Sequence, residues 1–120
     1  LLQDSLNIVK LLGLRYRVLL LASQDTSFAS SKTYDIEVWS PGSEEWLEVS
    51  SVSNFLDFQT RRANIRYKDT KGNNTFLHTL NASGLALPRT LAALIEQNFI
   101  DNSIIIPDVL QPFMKKTTIK

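Results

Sequence analysis

Glu37, Glu48 and Arg89 are the residues whose type and placement most invite chemistry. Tyr34, Ile36 and Val38 alternate with Asp35, Glu37 and Trp39, and the run from Trp46 to Ser51 alternates in the same way. A period of two marks a half-buried strand. Ser40-Pro41-Gly42-Ser43 supplies turn residues between the runs, so residues 34–51 are predicted to form an antiparallel hairpin. If Trp39 faces Trp46, Glu37 lies opposite Glu48, and Asp35 lies opposite Ser50. Like charges directly across a strand pair repel. A metal ion, an arginine or a shared proton would offset them. An open face on which water screens both carboxylates would also tolerate them.

Arg89 breaks a different rule. Leu87, Leu91, Leu94, Ile95 and Phe99 recur at three- and four-residue spacing, the apolar stripe of a helix. Pro88 suits the first helical position, where a missing N–H costs nothing. Arg89 then falls in the first turn, where the partial positive charge of the helix end disfavours a cation. An anion bound at the same helix end would reverse that preference. A solvated side chain bending away from the dipole is the plainer alternative.

Other elements must hold these groups in place. Leu2, Leu6, Val9 and Leu12 form a helical stripe that Gly13 can cap. Residues 16–22 form a nearly unbroken apolar run, predicted to be a buried central strand. Residues 23–31 read as a loop anchored by Phe28. Residues 55–65 read as helical with Asn54 as cap, and residues 69–74 as an exposed turn. Strands are expected at 75–80 and 103–106, the latter closed by Pro107, and a helix at 88–99. Hairpin-joined strands with interspersed helices imply an α+β fold around an antiparallel β-sheet with flanking helices.

Composition narrows the function classes. The 120 residues carry 13 Lys+Arg and 12 Asp+Glu, a net charge of +1, so no global field draws the chain to nucleic acid. With no cysteine, disulfides and thiolate metal sites are excluded. No apolar run approaches the roughly 20 residues that span a bilayer, and no signal-peptide pattern is present. Ser50, Ser51 and Ser53 lack the GxSxG surroundings of a hydrolase nucleophile, and no P-loop is found. His78 has no nucleophile or metal partner nearby in sequence and reads as structural. Arg61, Arg62, Arg66 and Lys68 form a basic cluster beside Tyr67. It could touch RNA phosphates, though such clusters more often serve as surface ion-pair partners.

Larger blocks carry a family resemblance. Leu80-Asn81-Ala82-Ser83-Gly84-Leu85, followed by the helix with Arg89, resembles motif 3 of class II aminoacyl-tRNA synthetases. The segments 32–39, Pro41-Gly42, 48–54 and 57–62 (DFQTRR) resemble seryl-tRNA synthetases in particular. The likeness runs from about residue 13 to residue 114, in order. It implies that residues 1–120 are the C-terminal portion of a class II catalytic domain. It also implies an ATP-dependent ligase that activates L-serine as seryl-adenylate and transfers it to the 3′ end of tRNA(Ser).

By the same resemblance, Glu48, Val49, Ser50, Ser51 and Arg89 contact ATP, with Glu48 and Arg89 catalytic. Glu48 and Ser51 are implied ligands of Mg²⁺, and Asn81 and Ser83 line the serine pocket. Strict strand alternation puts Glu48 and Ser51 on opposite faces, so a shared ion requires the strand to end or bulge between them. Ala82 and Pro88 stand where the family often has glycine, and Ala82 adds a methyl beside the implied amino-acid pocket. Motifs 1 and 2 and the tRNA-binding coiled-coil arm are not among these residues, so the isolated chain is expected to be inactive. The implied full enzyme is a cytoplasmic homodimer with no membrane association. Two other classes remain open: a synthetase-like paralogue serving a carrier protein or a regulatory role, and a non-enzymatic RNA-binding module.

Overall fold

A computed structural model describes all of residues 1–120. The first helix, α1 (Leu2–Leu11), buries Ser5, Leu6 and Val9 on one stripe. It stops at Gly13, whose φ of +68° is the left-handed geometry that glycine adopts without strain. The chain then enters β1 (Tyr16–Leu20), β2 (Lys32–Ser40) and β3 (Glu45–Leu56). After the short helix α2 (Phe58–Ala63) come β4 (Arg66–Lys68), β5 (Asn74–Phe76) and β6 (Thr79–Ala82). Helix α3 (Leu87–Gln97) follows, then β7 (Phe99–Ile100), β8 (Ser103–Ile105), α4 (Gln111–Met114) and β9 (Thr118–Ile119).

The central sheet has the order β1-β2-β3-β6, and every pairing in it is antiparallel. The β4–β5 hairpin and the β7-β8-β9 sheet are separate. This is the α+β architecture the sequence implies. Alternate residues of β2 divide between two faces. Ile36 and Val38 are fully buried and join Leu6, Val9, Leu14, Val49 and Ala93 in the core beneath α1 and α3. Asp35, Glu37 and Trp39 point to the opposite face. The core is thin: the radius of gyration is 18.9 Å, against about 14 Å for a compact domain of this length.

The C-terminal end of α3 is fastened to the β2–β3 turn. The Ser40 hydroxyl and the Gly42 N–H both donate to Glu96 Oε2, and Gln97 Nε2 donates to the Trp39 carbonyl at 2.6 Å. A Cβ on Gly42 would come within 2.9 Å of Glu96 Oε1, so a larger residue there would push the Glu96 carboxylate aside.

Three expectations are corrected. The run at 16–22 is an edge strand, not a buried central one, and only Leu19 within β1 is partly covered. Its apolarity is real, but the helices pack over β2 and β3 instead. Asn54 does not cap a helix. Strand β3 runs on to Leu56, Asn54 Oδ1 accepts the Leu56 N–H at 2.9 Å, and α2 begins three residues later than expected with Asp57 at its cap. The strand expected at 75–80 is broken at Leu77-His78 into β5 and β6, which belong to different sheets. Because Ile36 is wholly buried, Ile36→Ala should cost about 2–5 kcal/mol. A urea-denaturation midpoint lowered with an unchanged slope is the expected result.

Candidate functional site

The site grows from one extra residue in β3. Ile36 pairs with Ser50 but Glu37 pairs with Glu48, so Val49 has no partner on β2. This is a β-bulge, which reverses the inward–outward parity of everything beyond it. Val49 and Ser50 both turn into the interior and are 1% exposed. Glu48 and Ser51, three apart, therefore share the open face with Glu37 and Asp35. The bulge that a common ion requires is present. The expected pairing of Glu37 with Glu48 and of Trp39 with Trp46 holds, whereas Asp35 lies opposite Ser51 and not Ser50.

The same bulge seats the helix that carries Arg89. The Val49 carbonyl accepts the Ala86 N–H at 2.7 Å, immediately before α3. The neighbouring Glu48 carbonyl accepts from Arg89 Nη1 at 2.8 Å. Pro88 occupies the first turn, in keeping with its lack of an N–H. Arg89 is thus pinned by one of its five donors at the edge of the acidic face, and its remaining N–H groups stay free for an anion.

An arginine offsets the facing carboxylates. Arg17, which sequence reasoning missed, pairs across β1–β2 with Glu37 and both bonds and bridges to its Oε2. Its guanidinium stands 4.6 Å from the Trp46 ring centroid, while Arg15 stands 5.2 Å from that of Trp39. The signal was the lone charge of Arg17 inside an otherwise apolar run. Glu48 is exposed and makes no ion pair. Asp35 differs again: it is 8% exposed, and its Oδ1 is buried without a hydrogen-bond partner.

Asn81 lies opposite Ser53, and through that register it shares the face of Ser51. A ladder of hydroxyls continues from it across the sheet, Ser53 to Thr33 at 2.8 Å and Thr33 to Ser30 at 2.7 Å. Ser83 follows β6, and its carbonyl is clasped by two hydroxyls, Ser5 of α1 at 3.0 Å and Ser50 at 2.9 Å. Ser50 therefore supports the Ser83 turn rather than facing the open side. Any contact that Val49 or Ser50 makes to a ligand there comes from the main chain. A methyl group on Gly84 would meet no atom within 4 Å, and its φ is not positive, so neither space nor backbone geometry demands glycine there.

The other sequence candidates lie apart. Arg61 bonds Asp57 Oδ2 through Nε at 2.8 Å, and this bond holds the Asp57 carboxyl below its usual range. Arg62 lies 3.5 Å from the Phe58 ring centroid and Arg66 lies 4.7 Å from that of Phe76. The basic cluster is thus mostly engaged with its own aromatics and one carboxylate. His78 is exposed between β5 and β6. The roomiest surface depression is lined by Leu20, Ser23, Ser27 and Phe28 and touches none of the candidate residues.

No three acidic or imidazole groups converge as a self-sufficient metal cage. A carboxylate and a hydroxyl brought to one face by the bulge instead fit Mg²⁺, which takes few protein ligands and completes its shell with phosphate and water. The profile of the tRNA synthetase class II core domain (G, H, P, S and T) matches residues 1–98. The chain belongs to the class II tRNA synthetase family.

Within that family, this synthetase chain is 57% identical over 115 residues to a serine–tRNA ligase of Leptospira biflexa, covering 95% of the chain and 28% of the relative. It is 53% identical to that of Methylacidiphilum infernorum, covering 92% and 26%. The structure of seryl-tRNA synthetase from Pyrococcus horikoshii complexed with ATP superposes with a TM-score of 0.92 at 34% identity, covering 98% of this chain and 27% of that one. The cytoplasmic serine–tRNA ligase of Naegleria fowleri in complex with AMP gives 0.90 at 34% identity, covering 99% and 29%. The chain therefore spans somewhat over a quarter of the length of these relatives.

Removing the Ser50 hydroxyl should cost about 1 kcal/mol and loosen the Ser83 turn. Ser50→Ala is expected to lower the urea-denaturation midpoint by the equivalent of that amount with an unchanged slope.

Proposed function

We propose that residues 1–120 are the motif 3 portion of a seryl-tRNA synthetase catalytic domain, whose full enzyme joins L-serine to the 3′ end of tRNA(Ser) through seryl-adenylate. The observation that carries this reading is the bulge at Val49. It aligns Glu48 with Ser51 and docks the start of α3 so that Arg89 lies against Glu48. The relatives' names and the ATP-bound neighbour point the same way.

In the first step the serine carboxylate attacks the α-phosphorus of ATP and pyrophosphate leaves. Such chemistry depends on holding the reactants in line and on balancing phosphate charge. Arg89 grips the terminal phosphates from the helix end. Its bond to the Glu48 carbonyl fixes where the guanidinium sits before ATP arrives. Glu48 and Ser51 are the oxygen donors for Mg²⁺, which supplies phosphate charge neutralisation when bound. Asn81 and Ser83 recognise serine, whose hydroxyl needs polar partners that an apolar pocket cannot provide. The backbone from Glu48 to Ser51 supplies further ATP contacts. The whole protein is proposed to act as a cytoplasmic homodimer.

Arginine at position 89 should not be replaceable by lysine, which cannot reproduce a planar fork of donors. Arg89→Lys in the complete polypeptide is expected to slow serine-dependent exchange of labelled pyrophosphate into ATP by on the order of 100-fold. Exchange at the unmodified rate would defeat the proposed role. The 120-residue chain by itself, without the segments that complete the nucleotide site, is expected to give no such exchange. Measurable exchange by that chain would overturn the proposed division of the catalytic domain.

A further inference from the structure

Asp35 is a buried carboxylate that the reading above leaves without a role. It faces Ser51 across β2–β3, and directly opposed residues stand about 5 Å apart at Cβ. Its neighbours on the same face of β2 are Thr33 and Glu37. Both are engaged, Thr33 with the Ser53 and Ser30 hydroxyls and Glu37 with Arg17. On β1 the residue opposite Asp35 is Leu19, which offers no donor. Asp35 Oδ1 is thus closed off from water and unpartnered, an arrangement that costs stability unless something completes it. The residue directly opposite it on β3, Ser51, carries a hydroxyl.

We propose that Asp35 is a positioning residue for the cation: once a divalent ion is held with Glu48, its Oδ1, unpartnered in the ion-free fold, takes the hydrogen bond of the Ser51 hydroxyl and so turns the Ser51 oxygen lone pairs toward that ion. This rests on the assignment of Glu48 and Ser51 as the cation's protein ligands. A hydroxyl bound to a dication is a stronger donor, and a buried carboxylate behind a ligand fixes its orientation and raises its basicity. Asp35 does not itself ligate, in line with the lack of a three-carboxylate cluster. No bond is made or broken; the hydroxyl keeps its proton.

The test uses Mn²⁺ as probe, titrated into the complete polypeptide with ATP present and serine omitted, with free Mn²⁺ read by electron paramagnetic resonance. Asp35→Asn is expected to weaken Mn²⁺ binding about tenfold, and Ser51→Ala and Glu48→Gln to weaken it at least as much. The Asp35→Asn/Ser51→Ala pair should be no weaker than Ser51→Ala alone, because both remove one linkage. Without metal, Asp35→Asn should melt at or above the temperature of the parent, since an orphaned buried charge is gone. Asp35→Ala, read by the same titration, carries the test if the amide variant fails to fold.

Unchanged Mn²⁺ binding in Asp35→Asn, beside weakened binding in Glu48→Gln, would overturn this inference alone. Unchanged binding in both Glu48→Gln and Ser51→Ala would overturn the ligand assignment beneath it. A raised KM for serine with Mn²⁺ binding intact would place Asp35 on the amino acid, and a lower melting temperature in both Asp35 variants would make it a structural support. Either result would overturn the proposal.

Discussion

A single inserted residue in a β-strand sets the geometry of this molecule's acidic face. A strand offers alternate side chains to alternate sides, so two donors three positions apart cannot ordinarily meet one ligand. At Val49 the ladder slips by one, and Glu48 and Ser51 are delivered to the same side. The cost is a ladder position left without its partner. Much of that cost is offset where the Val49 side chain fills the core and its carbonyl takes the Ala86 N–H. The irregularity is therefore tied into both the core and the helix that carries Arg89.

The charges on that face are graded by their surroundings. Glu37 is neutralised by Arg17, whose guanidinium is also held against Trp46. Glu48 faces solvent without an ion pair, while Asp35, opposite Ser51, is buried. Three acids on one surface thus occupy three electrostatic situations: paired, free and enclosed. Only the free one can approach an incoming ion without first giving up a partner or being uncovered. Burial without a partner is unusual enough in native structures to call for a reason.

Much of this is legible in the sequence, and the limits are instructive. The two long strands can be read because tryptophans, valines and acids alternate cleanly, and that pattern yields the Glu37–Glu48 pairing. Helix α3 is legible from its leucine spacing and Pro88. The bulge is not, because Ser50 and Ser51 are small and polar and suit either face. A clue lies in Val49 and Val52: both lie on the helix side, yet they are three apart, a spacing that strict alternation forbids. Strand order is hidden for a different reason. An apolar run reveals that a segment prefers cover, not which helix supplies it, so β1 reads as central when it is an edge. The clasp on the Ser83 carbonyl joins residues 78 and 33 positions away, and no local pattern encodes such a meeting.

Helix α3 is attached to the β2–β3 hairpin at both of its ends. Its start hangs from two consecutive carbonyls at the bulge, and its final turn grips the hairpin's reversal through Glu96 and Gln97. Helix and hairpin therefore behave as a braced frame, in which neither can rock without breaking contacts at one end. The place of the Arg89 guanidinium relative to the Glu48 main chain is thereby set by contacts at both ends of the helix rather than by one.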